Sequence, residues 1–173
     1  MQAPARKFMD VLYLACIAIA GLSIVIMSIV VPWGVFARYV LEAAAAWPEP
    51  MAVLLMILFT FFGGAACYRA GVHISVGLFT ALLPGPLKRF AGWIEEALMA
   101  ALAVFMVIWG FGLVDTTWHQ VIAEFPWLSV GITYLPIPLG GIVTLLFIIE
   151  RVLIGPPSAG SIVHRDPSES EAN

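Results

Sequence analysis

Four long stretches of apolar residues divide the chain, at residues 11–31, 51–68, 97–114 and 128–149. None of them contains Asp, Glu, Lys, Arg or His. A helix of about 20 apolar residues, rising about 1.5 Å per residue, crosses the hydrocarbon core of a bilayer, which is roughly 30 Å thick. The pattern therefore predicts an all-α integral membrane protein with four transmembrane helices, in one membrane domain over residues 1–154.

Prolines mark the limits of these stretches. Pro32 is expected to stop the first crossing, and Pro48 suits the start of the second, because the first turn of a helix needs no internal N–H donor. Pro136 and Pro138 fall inside the fourth stretch. They predict a kink there, which neighbouring helices can tolerate.

The connector after the first crossing shows a helical spacing of its own. Its apolar residues recur on one helical face, while Arg38 and Glu42 point elsewhere, and an alanine run at residues 43–46 also favours helix. The residues on the apolar face are Val35, Phe36, Tyr39 and Val40. This pattern predicts a short helix lying in the membrane plane.

The second connector and the C-terminal tail differ in character. Ile74, Leu78 and Leu82 repeat every four residues, which predicts an interfacial helix before a turn rich in Pro and Gly. Residues 155–173 are rich in Pro, Ser and acidic residues, and we expect a mobile cytoplasmic tail.

The third connector carries a regular apolar stripe, formed by Trp118, Val121, Ile122 and Phe125. Their spacing is that of one helical face. The helix so predicted either lies in the membrane surface or prolongs the third crossing, and the sequence does not choose between the two.

The distribution of cations predicts the orientation. With the N-terminus inside, the cytoplasmic segments hold seven of the eight Lys and Arg residues, and only Arg38 lies outside. Trp33, Trp47, Trp118 and Trp127 flank the crossings on the outer side, as amphipathic rings prefer. We therefore expect both termini in the cytoplasm of a bacterial cell, with the chain in the inner membrane.

Composition and motifs exclude several classes of function. The chain is 62% hydrophobic and 11% charged, and its net charge of −3 offers no basic face for nucleic acid. No nucleophile elbow, His-Glu-x-x-His motif or phosphate-binding loop occurs, which argues against an enzyme, and we expect no cofactor or metal in this chain. The absence of ionisable residues within the crossings argues against transport of a polar substrate by this chain alone.

Small residues recur along the second crossing at Gly63, Cys67 and Gly71. Such a row permits close approach of another helix. That helix is either another crossing of this chain or part of a partner protein.

Three separated elements, Arg38-Tyr39, Trp47-x-Glu49 and residues 69–76, resemble in order and spacing the small DctQ-type subunit of tripartite ATP-independent periplasmic (TRAP) transporters. The resemblance covers roughly residues 8–155. It implies an accessory subunit bound to a large permease that carries organic acids with sodium ions, which bind in the permease. It also implies a periplasmic substrate-binding protein as a third component.

The residues that carry the resemblance also have simpler interpretations. Arg38 either reaches lipid headgroups or anchors the in-plane helix or the permease, and Tyr39 and Trp47 are candidates for interface anchors. Glu49 either favours the start of a helix by its charge or pairs with Arg38.

Arg69 and His73 would share a face if the second helix continued that far, with Gly71 between them. They are either a solvated or lipid-facing pair, or a contact to the inner connector or the permease.

Three other functions compete with a TRAP subunit. One is the small four-helix subunit of a different tripartite carboxylate transporter. Another is an autonomous small transporter or channel formed by self-association, and the third is a membrane-anchored assembly factor. Co-purification with a large permease separates these possibilities.

Overall fold

The structure is a computed structural model that describes residues 2–43, 45–71 and 85–154, and it is almost entirely helical. Among these residues, four helical stretches are long and apolar enough to cross a membrane, which confirms the predicted fold class. The elements are α1 (Gln2–Tyr39), α2 (Pro48–Ala70), α3 (Gly85–Thr117), β1 (Val121–Ile122), β2 (Phe125–Ser129), α4 (Val130–Tyr134) and α5 (Pro136–Ile154).

The long helices pack in the spatial order α1, α2, α5, α3. Helix α1 packs along α2, and α5 packs between α2 and α3, so that α3 reaches the others mainly through α5. We call the end that holds Asp10, Arg69 and Glu150 the ionic end. The opposite end, which holds the connector from α1 to α2 and the strands β1 and β2, is the hairpin end.

Glycines bring α5 into close contact with both of its neighbours. A Cβ atom added at Gly140 would lie 2.8 Å from the Cβ of Phe61 in α2. One added at Gly141 would lie 3.0 Å from the carbonyl oxygen of Ala103 in α3. The pair of glycines therefore serves packing between helices of this chain, with one glycine facing each neighbour.

The buried core lies toward the ionic end, where the four long helices converge. Cys16 of α1 and Phe147 of α5 are almost fully buried, at 1% and 2% exposure, and Ala103 of α3 is buried beside them. Elsewhere the long helices present apolar side chains outward, as expected for helices that lipid or protein surrounds.

The expected stop at Pro32 and the in-plane helix that follows it are wrong. Helix α1 runs through Pro32 to Tyr39, and its last turns contain the apolar stripe that suggested a separate helix. The chain then turns at Glu42, whose φ is +51°, while the N–H of Ala43 donates to the carbonyl of Ala37 at 3.1 Å. The left-handed conformation of Glu42 turns the chain so that the N–H of Ala43 can bond to a carbonyl in the last turn of α1. Such a bond commonly ends a helix.

The predicted kink in the fourth crossing is confirmed. Leu135 separates α4 from α5, and Pro136 occupies the first position of α5, where its missing N–H leaves no bond unmade. Pro138 packs against α3, since a Cβ added at Gly110 would lie 2.9 Å from its Cδ.

The helix expected over residues 118–125 is also wrong. Val121–Ile122 pairs antiparallel with Phe125–Ser129 in a short hairpin. Ser129 ties this hairpin to α3 and α4: its hydroxyl donates to the carbonyl of Trp118 at 2.5 Å and accepts from the N–H of Gly131 at 3.1 Å. These bonds satisfy backbone groups at the end of α3 and the start of α4.

Two other expectations fall outside the described residues. They are the interfacial helix around residues 74–82 and the mobile tail at residues 155–173.

Candidate functional site

A buried arginine joins three helices at the ionic end. Arg69, in the last turn of α2, donates from Nε and Nη2 to the two carboxylate oxygens of Glu150 in α5, both at 2.8 Å. Nη2 also donates to Asp10 Oδ1 of α1 at 2.8 Å. The Arg69 side chain is only 3% exposed and that of Glu150 is 6% exposed. This two-point geometry matches a planar guanidinium to a carboxylate and fixes the relative position of the two helices.

Two aromatic rings complete the surroundings of the guanidinium. The Arg69 Cζ lies 5.4 Å from the ring centre of Tyr13 in α1 and 5.3 Å from that of Phe147 in α5. Both distances are within the range of cation–π attraction. The arginine is therefore held by carboxylates and by rings from the same two helices.

A second ion pair lies beside the first and brings in α3. Arg151 Nε donates to Glu96 Oε1 of α3 at 2.7 Å, and the Tyr68 hydroxyl of α2 donates to Glu96 Oε2. The Arg151 guanidinium lies 5.7 Å from the ring centre of Tyr68.

The two networks are connected through the backbone. Tyr68 and Arg69 are neighbours in α2, and Glu150 and Arg151 are neighbours in α5, so each helix contributes one residue to each network. Asp10 adds α1 to the first network, and Glu96 adds α3 to the second. We call the two together the ionic clamp: it joins all four long helices at one end.

The interpretation of Arg69 as a solvated or lipid-facing residue is wrong, because its side chain is buried and pairs with helices of its own chain. The pattern missed these partners, since they lie at the ends of other helices. A contact of Arg69 with the inner connector or the permease stays a prediction, since most of that connector lies outside the described residues. The condition for Arg69 and His73 to share a helical face is not met: α2 ends at Ala70, and Gly71 adopts φ +68° with its N–H donating to the carbonyl of Tyr68. His73 itself lies outside the described residues.

At the hairpin end, Arg38 and Glu49 form the ion pair that the sequence allowed. Arg38 Nη2 donates to Glu49 Oε1 at 2.6 Å, and the two side chains are 57% and 73% exposed. The pair joins the end of α1 to the first turn of α2, where the glutamate also meets the positive end of the helix. Exposed pairs of this kind hold a geometry without contributing much stability.

A groove of about 180 Å³ opens beside this pair. Tyr39 lines it and is 77% exposed, whereas Trp47 stands at the cap of α2 and is 37% exposed. The floor is close-packed, because a Cβ added at Gly34 would lie 2.9 Å from the Cβ of Pro48.

The row of small residues in α2 does not act as one seam. A Cβ added at Gly63 would lie 3.6 Å from the Cβ of Ala20, so this position faces α1. Cys67 is exposed, and Gly71 caps the helix. Of the two glycines in this row, Gly63 has a neighbouring helix within 4 Å of an added Cβ, whereas Gly71 has nothing within that distance.

Sequence reasoning missed Asp10, Tyr68, Glu96, Glu150 and Arg151 as site residues. Their common signal is an ionisable or hydroxyl group at the same predicted end of a crossing. That signal identifies candidates for pairing, but the choice of partner depends on the spatial order of the helices.

The fold and these contacts define a multi-pass membrane protein whose ion pairs lie at the ends of its helices. Residues 27–154 match the family described as tripartite ATP-independent periplasmic transporters, DctQ component. The chain belongs to this family, and it is therefore a small membrane component of a TRAP transporter and not an enzyme. It functions together with other components of that system. A search among curated proteins found no matching relative.

Proposed function

We propose that this chain is the static support of a large permease subunit in the inner membrane, with both termini in the cytoplasm. The permease carries organic acids, such as C4-dicarboxylates, sialic acids or other carboxylates, together with sodium ions. A periplasmic protein delivers the substrate. In this arrangement the ionic end faces the cytoplasm and the hairpin end faces the periplasm.

The ionic clamp is the observation that carries the proposal. A permease that moves a substrate site across the membrane needs a part that stays fixed, and the clamp joins the four long helices of this chain at one level. Removing a partner from such a buried pair leaves an uncompensated charge, so the helices separate only at high cost. The two oxygen atoms of Glu150 and the guanidinium of Arg69 are already bonded to each other, which suits support rather than exchange of a substrate.

The charge distribution also supports this orientation. The cations of the ionic end are Arg6, Lys7, Arg69, Lys88, Arg89 and Arg151. Cations accumulate on the cytoplasmic side of membrane proteins, which supports a cytoplasmic position for this end. Among its described residues, the hairpin end carries Arg38 as its single cation.

Reconstitution tests the proposal. The tagged subunit, co-expressed with a candidate large permease, should purify as one complex in mild detergent. In liposomes the complex, supplied with binding protein, should accumulate a labelled C4-dicarboxylate or sialic acid only with an inward sodium gradient. Omission of this subunit should abolish uptake.

Other outcomes would overturn the proposal. Uptake by this chain alone would establish an autonomous transporter. A complex with the permease of a different tripartite carboxylate system would reassign the partner. A stable subunit without any permease and without uptake would indicate an assembly role.

A further inference from the structure

The groove beside Arg38 and Glu49 has an apolar part and a charged part. One wall is a stripe of α1 residues at helical spacing, and the first turns of α2 form the other. The α1 residues of the wall are Val31, Gly34, Val35, Arg38 and Tyr39, and those of α2 are Pro48, Glu49 and Ala52. Its apolar part therefore extends toward the bilayer centre along α1, and its two charged side chains lie together at the other end. We call it the Arg38 groove.

The Arg38 groove crosses the boundary between hydrocarbon and lipid headgroups. Val31 is the last residue of the first apolar stretch, and Arg38 lies about 10 Å further along α1, at about 1.5 Å per residue. The headgroup layer on each side of a bilayer is roughly 5–8 Å thick. Helical side chains lean toward the N-terminus of their helix, so the guanidinium of Arg38 reaches back into this layer. The half-exposed rings of Trp33 and Trp47 mark the same level, where amphipathic aromatic rings concentrate.

Arg38 and Glu49 place opposite charges side by side in the headgroup layer. Their contact of 2.6 Å joins Nη2 to Oε1, and both side chains remain more than half exposed. A third group can therefore approach the guanidinium and the carboxylate together. Because the pair is neutral as a whole, the group that complements it carries a negative and a positive charge a short distance apart.

We propose that the Arg38 groove binds one phospholipid with a phosphoethanolamine headgroup. The phosphate lies against Arg38, whose planar guanidinium matches phosphate oxygens, and the primary ammonium donates to Glu49. The hydroxyl of Tyr39, which also lines the groove, is a further donor for the phosphate. One acyl chain follows Val31 and Val35 into the hydrocarbon region.

The charges of the hairpin end disfavour an anionic lipid in this groove. Phosphatidylglycerol would set its phosphate beside the carboxylate of Glu49 with no cation of its own to offset the repulsion. Glu42, Asp115 and Glu124 are exposed at the same end and add to that repulsion. A headgroup that brings its own ammonium avoids this cost.

Hydrogen bonding separates the two common zwitterionic headgroups. A primary ammonium has N–H donors for the carboxylate of Glu49, as a lysine side chain does. The trimethylated ammonium of phosphatidylcholine has none, so it attracts the carboxylate without a hydrogen bond. The Arg38 groove therefore favours phosphatidylethanolamine over both alternatives.

A lipid in this position contacts α1 and α2 where they meet. The two helices touch below it, because a Cβ added at Gly34 would lie 2.9 Å from the Cβ of Pro48. A molecule that binds only the folded chain stabilises it, so the lipid reinforces this helix pair at the hairpin end. The site depends on the level of the groove in the bilayer and on its charges, and it does not depend on the proposed function.

Lipid titration followed by native mass spectrometry tests the site. The full chain, purified with any subunit that stays bound to it, is titrated with dioleoyl phosphatidylethanolamine, phosphatidylcholine or phosphatidylglycerol. A basic residue near lipid headgroups contributes a factor of about five to binding, and we expect the ethanolamine lipid to bind more tightly than the others by about that factor. Equal dissociation constants for the three lipids would refute the proposal.

Two variants test the separate charges. Arg38→Gln should weaken binding of the ethanolamine lipid by about fivefold, because it removes the cation that meets the phosphate. Glu49→Gln should remove the preference for phosphatidylethanolamine over phosphatidylglycerol, since Arg38 is then unopposed. The pair is exposed and adds little stability, so both variants should fold, and their unfolding midpoints check this.

Glu124→Gln is the matched control for these variants. It also removes one acid from the hairpin end, but Glu124 lies between the strands β1 and β2, outside the groove. Its lipid preference should equal that of the wild type. A preference that survives in Glu49→Gln, or that Glu124→Gln removes as well, would assign the effect to the general charge of this end and overturn the proposed site.

A photoreactive lipid tests occupancy in the membrane. Phosphatidylethanolamine with a diazirine in its acyl chain, supplied to membranes that contain the full chain, should label the peptide around Val31 and Val35. Arg38→Gln should reduce this labelling, whereas Glu124→Gln should not. Absence of labelling on this peptide in the wild type would show that another protein or no lipid occupies the groove, and it would refute the proposal while the proposed function stands.

Discussion

Arg69 and Glu150 are 81 residues apart in the chain, yet two hydrogen bonds of 2.8 Å hold the guanidinium against the carboxylate. Both side chains are buried, so their attraction is little weakened by water. Because both are buried, removing either side chain leaves the other as an unpaired buried charge, which destabilises the fold.

Arg69→Met should destabilise the isolated subunit strongly, because it leaves Glu150 buried and Asp10 half-buried without their cation. Loss of one partner from a buried pair typically costs about 3–5 kcal/mol. The midpoint of thermal unfolding in detergent, followed by tryptophan fluorescence, measures the change.

The double variant Arg69→Met with Glu150→Met should be more stable than Arg69→Met alone, since an apolar pair can replace a buried ion pair. Arg38→Met is the control, because its ion pair is exposed and the midpoint should hardly move. A double variant that is less stable than either single variant would contradict this account of the clamp.

Gly140→Ala should disturb the contact between α5 and α2. The new methyl group would lie 2.8 Å from the Cβ of Phe61 and 3.2 Å from its carbonyl oxygen, so one helix must shift. Overpacking of this kind costs about 1–3 kcal/mol. Gly112→Ala meets nothing within 4 Å and should show no loss in the same unfolding measurement. Equal midpoints of thermal unfolding for the two variants would indicate that α5 and α2 can move apart without loss of stability.

Ser129→Ala should loosen the hairpin, because it removes both the bond to the Trp118 carbonyl and the cap on Gly131. Loss of a helix cap costs about 0.5–2 kcal/mol. We expect faster cleavage by chymotrypsin between Trp118 and Trp127, measured by mass spectrometry. Ser28→Ala removes only a bond within α1 and should leave the cleavage rate as in the wild type.

Reporter fusions test the orientation. Fusions at Gly85 and at residue 173 should report the cytoplasm, and fusions near Glu42 or Glu124 should report the periplasm, because seven of the eight cations lie in the predicted cytoplasmic segments. A periplasmic signal at Gly85 would contradict the proposed orientation, since α3 begins there at the ionic end.

The hairpin end is acidic, and this predicts an effect of salt on uptake. Glu42, Asp115 and Glu124 are exposed there, in addition to the Glu49 that pairs with Arg38. Exposed charges mainly change the rate of association, and salt screens them over about 8 Å near physiological strength. Glu42→Lys with Glu124→Lys should slow uptake at limiting binding protein, more so at low salt, with complex assembly intact. Unchanged uptake across a salt series, at equal abundance, would exclude this surface from docking.

The sequence predicted the four crossings because their length and lack of charge suffice for that conclusion. It also predicted the kink at Pro136 and Pro138. The pairing of Arg38 with Glu49, which lie close together along the chain, was one of two interpretations that the sequence left open. The partners of Arg69 depend on α5 lying between α2 and α3, and no local pattern specifies that order.

The hairpin was missed for a local reason. Trp118, Val121, Ile122 and Phe125 fit helical spacing, but so short a stretch does not separate the two kinds of secondary structure. Two hydrogen bonds favour the hairpin: the Ser129 hydroxyl donates to the carbonyl of Trp118, and the N–H of Val130 donates to the carbonyl of Gln120. The two donors, Ser129 and Val130, lie beyond the end of the apolar stripe.

The ionic clamp also determines how far each helix can turn about its own axis. Glu150 and Arg151 have opposite charges and are about 100° apart around α5, at 3.6 residues per turn. A rotation of α5 by that angle in one sense would present Arg151 to Arg69, and a rotation in the other sense would present Glu150 to Glu96. Either rotation breaks both attractive contacts and puts two like charges together. The order of these two residues therefore permits only one rotation of α5 about its axis. That rotation determines which surface of α5 contacts α2 and which contacts α3.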